Sequence, residues 1–327
     1  MGPHGLVPRQ SPSAQPVDDG LSHEDLGPRL NTVFWLLTSL ATLFLALRIY
    51  CKFHRGRNLW WDDHFLIAAW VSLVVSAATT SVCVSLDYGK NSYDMRPEVS
   101  TQMQFVAVFA GFFSVLAAAW SKTSFALTLL RLSQGWMKAL IWFIIVTMNI
   151  IMGTAMLFMW IKCRPFARVW DTSLDGWCID PAIIVTLYQW SAGWSGSADI
   201  VLALLPWGIL FGMRHSLNTR ERLGVAIAMS MGVLAGVASI VKLVMLPNLR
   251  GDPTDTVSVT IWGGAEGAIT IIAASIPVLR ALIRGDKGRS TARFDTIDER
   301  QLNTASLETL SPTRKGGNYV DMYSPVT

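Results

Sequence analysis

The chain has 327 residues, of which 51% are hydrophobic and 15% charged, with a mean hydropathy of +0.39 and a formal net charge of +4. A soluble domain usually carries about 25% charged residues, so the composition excludes an ordinary water-soluble globule and points to a membrane protein. Four cysteines are too few for a disulfide-stapled scaffold, and nucleic acid is not an expected partner.

Residues 1–31 are polar and contain proline. They lack a basic stretch followed by an apolar core, so no cleaved signal peptide is expected and the first membrane helix serves as its own insertion signal. This segment reads as a disordered extracellular N-terminus. A first span is expected at roughly 32–51. It ends on Cys51, a packing residue with acylation as the alternative. A second, at roughly 64–86, is opened by Trp60, Trp61, Asp62 and Asp63. The acids suit a helix N-terminus, and the tryptophans suit the membrane interface.

The third span, at roughly 101–130, carries the stretch WSKTSFALTLLRL from Trp120 to Leu132, with Lys122 inside an apolar run. The fourth, at roughly 139–161, leads into CRPFARVWDTSLDGWC, Cys163 to Cys178. These two cysteines are read as a disulfide, which requires an oxidising face; two free thiols near helix ends are the alternative. The fifth span, at roughly 183–212, holds Asp199. The sixth, at roughly 223–246, carries Gly224, Ala228, Gly232 and Gly236 at steps of four, a small-residue ridge for helix packing, and then Lys242. The seventh, at roughly 259–283, holds Trp262 and Glu266. Residues 285–327 are rich in Ser, Thr, Arg and Asp and read as a disordered cytoplasmic tail. The expected fold is therefore all-α: a polytopic membrane bundle of seven transmembrane helices over residues 32–284.

Direction follows the bias of Lys and Arg toward cytoplasmic loops. The connections after spans 1, 3 and 5 hold Lys52, Arg55, Arg57, Arg131, Lys138, Arg214, Arg220 and Arg222, and the segment after span 7 adds Arg280, Arg284, Lys287, Arg289 and Arg293. This places the N-terminus outside and the C-terminus in the cytoplasm. The loop after span 4 runs against the bias, with Lys162, Arg164 and Arg168 on the outer side.

A charge at mid-membrane costs about 3 kcal/mol or more and usually faces the bundle with a partner. Lys122, Asp199, Lys242 and Glu266 qualify. Lys122 shares its helical face with Ala118, Ser114 and Gly111, small or polar residues that turn it inward. Comparable depth predicts a pair between Lys122 and Asp199, with Asp62 and Asp63 as competitors for the lysine. Lys242 and Glu266 both fall in the outer half of consecutive helices and are expected to pair near the floor of an outer cavity lined by Trp262. The plain alternative is that such pairs only fix helix register.

Span 7 has no lysine for a retinal Schiff base, so no retinal and no other cofactor is expected; no metal cluster is visible either. Asp-Arg-Tyr and Asn-Pro-x-x-Tyr signatures are missing, so coupling to heterotrimeric G proteins has no warrant. A further set of residues carries a resemblance. Arg48 and Tyr50 are followed by Trp61-Asp62-Asp63, then by KTSFALTLLRL over 122–132, and then by Cys163, Pro165, Trp170 and Cys178. Asp199 with Pro206, and Trp262, Glu266 and Pro277, complete the set. In this order they resemble the fungal rhodopsin-like integral membrane proteins, a seven-helix family related to plant-surface-sensing receptor-like proteins. The chain departs from the family in two glycines, Gly263 and Gly264, ahead of Glu266, and in Lys242 where arginine is common. Residues 1–31 hold no cysteine, so a cysteine-rich extracellular sensor domain is not expected.

The resemblance implies either a receptor or a membrane protein of a secondary-metabolite cluster, mycotoxin clusters included. Three functions follow as expectations. The first is a receptor-like sensor of a small apolar ligand, in the plasma membrane or an endomembrane, signalling through a partner the sequence does not name. The second is a membrane-embedded cyclase or isomerase using Asp199 or Glu266 as general acid. The third is a metabolite exporter, against which the missing inverted repeat counts.

Overall fold

The computed structural model describes residues 26–56, 58–90, 99–133, 135–171, 173–212, 219–246, 256–276 and 278–279. The tail at 285–327, residues 1–25 of the expected N-terminal segment, and Pro277 lie outside the described residues. Each expected apolar block contains a helix: α1 Gly27–His54, α2 Trp61–Ser85, α3 Ser100–Leu132, α4 Trp136–Ile161, α5 Pro181–Gly212 and α6 Thr219–Met245, and α7 Thr256–Ile276. α1 to α4 and α7 are long and apolar enough to cross a membrane. Between α4 and α5 a two-stranded ribbon, β1 Cys163–Arg164 and β2 Trp177–Cys178, brackets a short 3-10 turn at Phe166–Val169.

Local chemistry sets the helix starts. α1 begins at Gly27 with Pro28 in its first turn, where the missing N–H costs nothing. α2 begins at Trp61, so both acids fall inside its first turn, and the Asp63 carboxylate accepts the Trp60 backbone N–H at 3.1 Å. The Asp180 carboxylate accepts the Ala182 N–H at 2.8 Å just ahead of Pro181, capping α5. Gly89 is a backbone requirement: its φ is +97°, and a Cβ there would lie 2.9 Å from the Gly27 nitrogen.

Burial is inverted relative to a soluble protein. Arg48, Lys122, Asp63 and Glu266 are among the largest fully buried side chains, whereas Leu36, Leu43, Ile150 and Leu157 are each 62% exposed. In water this distribution would be costly on both counts. In lipid it is the expected one, with apolar side chains facing hydrocarbon and ions facing one another. The chain is an integral membrane protein of helices in a bilayer.

Lipid tails give helices no hydrophobic reason to associate, so close approach and polar contacts hold the bundle. α5 and α6 meet through Gly196, Gly232 and Gly236; a Cβ on Gly232 would lie 2.8 Å from the Ala203 Cβ, and one on Gly236 3.1 Å from Ile200 Cγ1. Among the five helices long and apolar enough to cross a membrane, α7 has the largest buried share of its apolar stretch, 61% against 28% for α1. Gly264 lies against the Phe34 ring of α1, and Gly267 against Ala117 of α3. Polar links add to this: Trp70 Nε1 donates to Thr42 Oγ1 at 2.8 Å, and Asn149 Nδ2 to Thr123 Oγ1 at 3.0 Å.

Candidate functional site: a charge network beside a cavity

Four helices aim polar side chains at one point. Ser195 and Asp199 stand one turn apart on α5, Ser239 and Lys242 one turn apart on α6, Lys122 on α3 and Glu266 on α7. Lys122 Nζ donates to Asp199 Oδ2 at 2.7 Å, and also to Glu266 Oε1 and Ser195 Oγ. Ser195 Oγ donates to Glu266 Oε1 at 2.7 Å, and Lys242 Nζ donates to Glu266 Oε2 at 2.5 Å. Ser239 Oγ stands 3.5 Å from Asp199 Oδ2. Two ammonium groups face two carboxylates, so the cluster is neutral. Neutrality and a hydrogen-bonded partner for each ion are what make such a group tolerable in hydrocarbon.

The expectation of two separate pairs becomes one network. Lys122 meets Asp199 and Lys242 meets Glu266, but Lys122 also bonds Glu266 and so joins the two pairs. Depth along a helix, read from sequence, is good to about a turn, or 5.4 Å. A lysine side chain reaches at least that far, so depth alone does not separate one partner from two.

Asp62 and Asp63 do not compete for Lys122. Arg48 on α1 donates from Nε to Asp63 Oδ1 at 2.9 Å, from Nη2 to Asp62 Oδ2 at 2.7 Å and from Nη1 to the Ala274 carbonyl of α7. Lys52 donates to Asp63 Oδ2, and Ser124 Oγ donates to the Asp62 carbonyl at 2.5 Å. The reading of the two acids as simple helix-start residues missed this second cluster. A signal was present: Arg48 and Lys52 stand one turn apart, just before two adjacent acids across a short connection. At the same end, the Arg131 guanidinium stacks 4.3 Å over the Trp60 ring.

A cavity of about 250 Å³ lies among α2 to α7. Its wall includes Ser76 and Thr80 of α2, Ser114 of α3, Met159 of α4, Tyr188 of α5 and Lys242 of α6. Lys242 thereby joins the cavity to the network: its side chain is 14% exposed, against 0% for Lys122 and Glu266. Asp199 and Glu266 are not among the lining residues, and neither is half-buried Trp262, although its neighbour Gly263 is. Tyr88, beyond the end of α2, shares a hydrogen bond with Thr260 Oγ1 at 3.1 Å. Burial pushes its hydroxyl pKa up, so it stays neutral. Thr80 Oγ1 is buried and has no hydrogen-bond partner among the described residues.

The cavity lies toward the ends of the helices that carry the ribbon. Cys163 and Cys178 form a disulfide across it, fifteen residues apart in sequence. Trp170 packs edge-on against Phe105 near the start of α3, with ring centroids 5.2 Å apart. The ribbon is thus tied to both α3 and the α4–α5 connection.

Residues 47–285 match the fungal rhodopsin domain family. A protein of Metarhizium anisopliae described as polyenoic acids biosynthesis gene cluster protein Ba17b is 25% identical over 284 residues, covering 80% of this chain and 75% of that protein.

Proposed function

The chain belongs to the fungal rhodopsin domain family, and from that premise we propose that it is a receptor-like sensor of a small apolar ligand, working without retinal or another cofactor. In this reading it crosses the plasma membrane seven times, with the N-terminus and the disulfide ribbon outside and the C-terminus in the cytoplasm. The observation that carries it is the cavity wall at Lys242, one end of an ion network that also holds α3, α5 and α7. A ligand touching Lys242 acts on the contact that sets the relative positions of these helices, and a ligand shifts an equilibrium through differential contacts of that kind. The disulfide supports the outward direction of the ribbon, since such bonds persist on an oxidising face.

The relative's description favours a second reading, that the chain serves a biosynthetic gene cluster. Within it the chain would be either the cluster's sensor or a cyclase or isomerase with Asp199 or Glu266 as general acid. The geometry weighs against the acid. Both carboxylates are held by lysines, and neither lines the cavity in which a substrate would sit. Export is the weakest of the three roles.

The test compares strains of the parent organism carrying wild type, Ala107→Phe, Asp199→Asn or Glu266→Gln, each with membrane expression verified. The expected result is an unchanged set of metabolites with loss of the transcriptional response to a chemical or surface cue, Ala107→Phe included because it fills the cavity. Loss of one compound with build-up of its precursor in Asp199→Asn or Glu266→Gln overturns the receptor reading in favour of the enzyme.

A further inference from the structure

The lining of the cavity narrows the chemistry of its occupant, given the reading above that the cavity is a ligand site. Among the described residues that line it, Lys242 is the one with a charge, and Val115, Met159, Leu246 and Val259 supply apolar wall. An ammonium group has three donors. Among the described residues Lys242 Nζ uses one, to Glu266 Oε2 at 2.5 Å. The other Glu266 oxygen is held by Lys122 and Ser195. The network is therefore satisfied with donors of Lys242 to spare, and an incoming acceptor shares this lysine without stripping Glu266.

Thr80 points the same way independently. Helical threonines usually turn their hydroxyl back to the carbonyl one turn earlier, as Thr38, Thr42, Thr79 and Thr123 do at 2.7–2.8 Å. Thr80 is 2% exposed and lines the cavity, yet its Oγ1 has no partner among the described residues. A buried hydroxyl left unpaired is costly, and an orphan of this kind in a cavity wall is accounted for by an occupant with a polar atom.

We propose that the cavity binds a small amphipathic carboxylic acid, its carboxylate ion-paired with Lys242 and its apolar body against α3, α4 and α7. A charge-assisted bond inside an apolar cavity is stronger than a neutral one, so the acid is preferred over its ester. The reading covers a free metabolite and a fatty acid released from lipid alike, because both present the same head and body.

The full-length chain in lipid nanodiscs at neutral pH tests this, with labelled octanoic acid and labelled methyl octanoate as probes and Ala107→Phe as the filled-cavity control. The expected result is saturable binding of the acid, with the ester weaker by about tenfold or more. The preference should collapse in Lys242→Gln and persist in Lys242→Arg. Where Lys242→Gln fails to elute as a folded species, the acid–ester ratio on the wild type decides alone. Equal binding of acid and ester, both abolished by Ala107→Phe, overturns the carboxylate while leaving the cavity as a ligand site. Binding of neither probe above the Ala107→Phe background overturns the proposal and removes support for a ligand site there. Acid binding with the same preference in Lys242→Gln overturns the role of this lysine.

Discussion

The protein buries two clusters of the same composition, two cations and two carboxylates, and they are built differently. Arg48, Lys52, Asp62 and Asp63 come from adjacent helices, with hydrogen-bonded partners 11 to 15 positions apart. Lys122, Asp199, Lys242 and Glu266 come from four helices, with partners 24 to 144 positions apart. The first uses an arginine fork, which fits two carboxylates and a carbonyl in fixed directions, and it lines no described cavity. The second uses lysines, point charges on flexible stems, and one of them borders a cavity. α7 joins the two, through Glu266 and the Ala274 carbonyl, which are eight residues or about 12 Å apart along the helix. The rigid cluster thus anchors one end of α7, while the adaptable one meets the open space. Similar charge counts hold helices in one place and, in the receptor reading proposed above, couple a ligand to helix positions in the other.

The sharpest way to break this contrast is Arg48→Met. It leaves Asp62 and Asp63 without their forked partner and frees the Ala274 carbonyl. Removing one partner of a buried pair costs about 3–5 kcal/mol, so folded protein recovered in detergent should fall to a small fraction of wild type. Wild-type recovery, by fluorescence-detected size exclusion, would show that the Arg48 cluster anchors nothing.

Lys122→Met comes next. Glu266 keeps Lys242 and Ser195, but Asp199 is left with Ser239 alone among the described residues. A loss of about 3 kcal/mol is expected, read as a lowered unfolding midpoint. Adding Asp199→Asn should restore part of it, with a coupling of about 1–3 kcal/mol. Simple additivity of the two changes would mean that the pair is not linked.

Helix contact on α7 gives a smaller effect. A Cβ at Gly264 would sit 2.5 Å from Phe34 Cε2, whereas one at Gly153 of α4 meets nothing within 4 Å. Gly264→Ala should cost about 1–3 kcal/mol as the ring is displaced. Gly153→Ala should be neutral or gain up to about 1 kcal/mol from helix propensity. Equal midpoints for the two variants would refute close α1–α7 packing. The smallest effect is expected at Thr80→Val, which replaces a hydroxyl without a partner among the described residues by a methyl of similar shape. Stability without ligand should hold or rise by up to about 1 kcal/mol as the unpaired hydroxyl is removed, and a loss would reveal a partner for it.

Much of this was legible from local pattern. The apolar blocks located the helices, because hydrocarbon thickness imposes a length that composition reports directly. Lys122, Asp199, Lys242 and Glu266 stood out because a charge inside an apolar run is visible at its own position. The Cys163–Cys178 bridge was readable from the short polar loop between two apolar blocks. Who pairs with whom was not readable. That depends on the rotation and depth of helices that lie far apart in the chain, and each is uncertain from sequence by about a turn. Only the packed bundle brought Glu266 within reach of both lysines, turned Asp62 and Asp63 toward Arg48, and left Lys242 and Thr80 facing a space that no single helix contains.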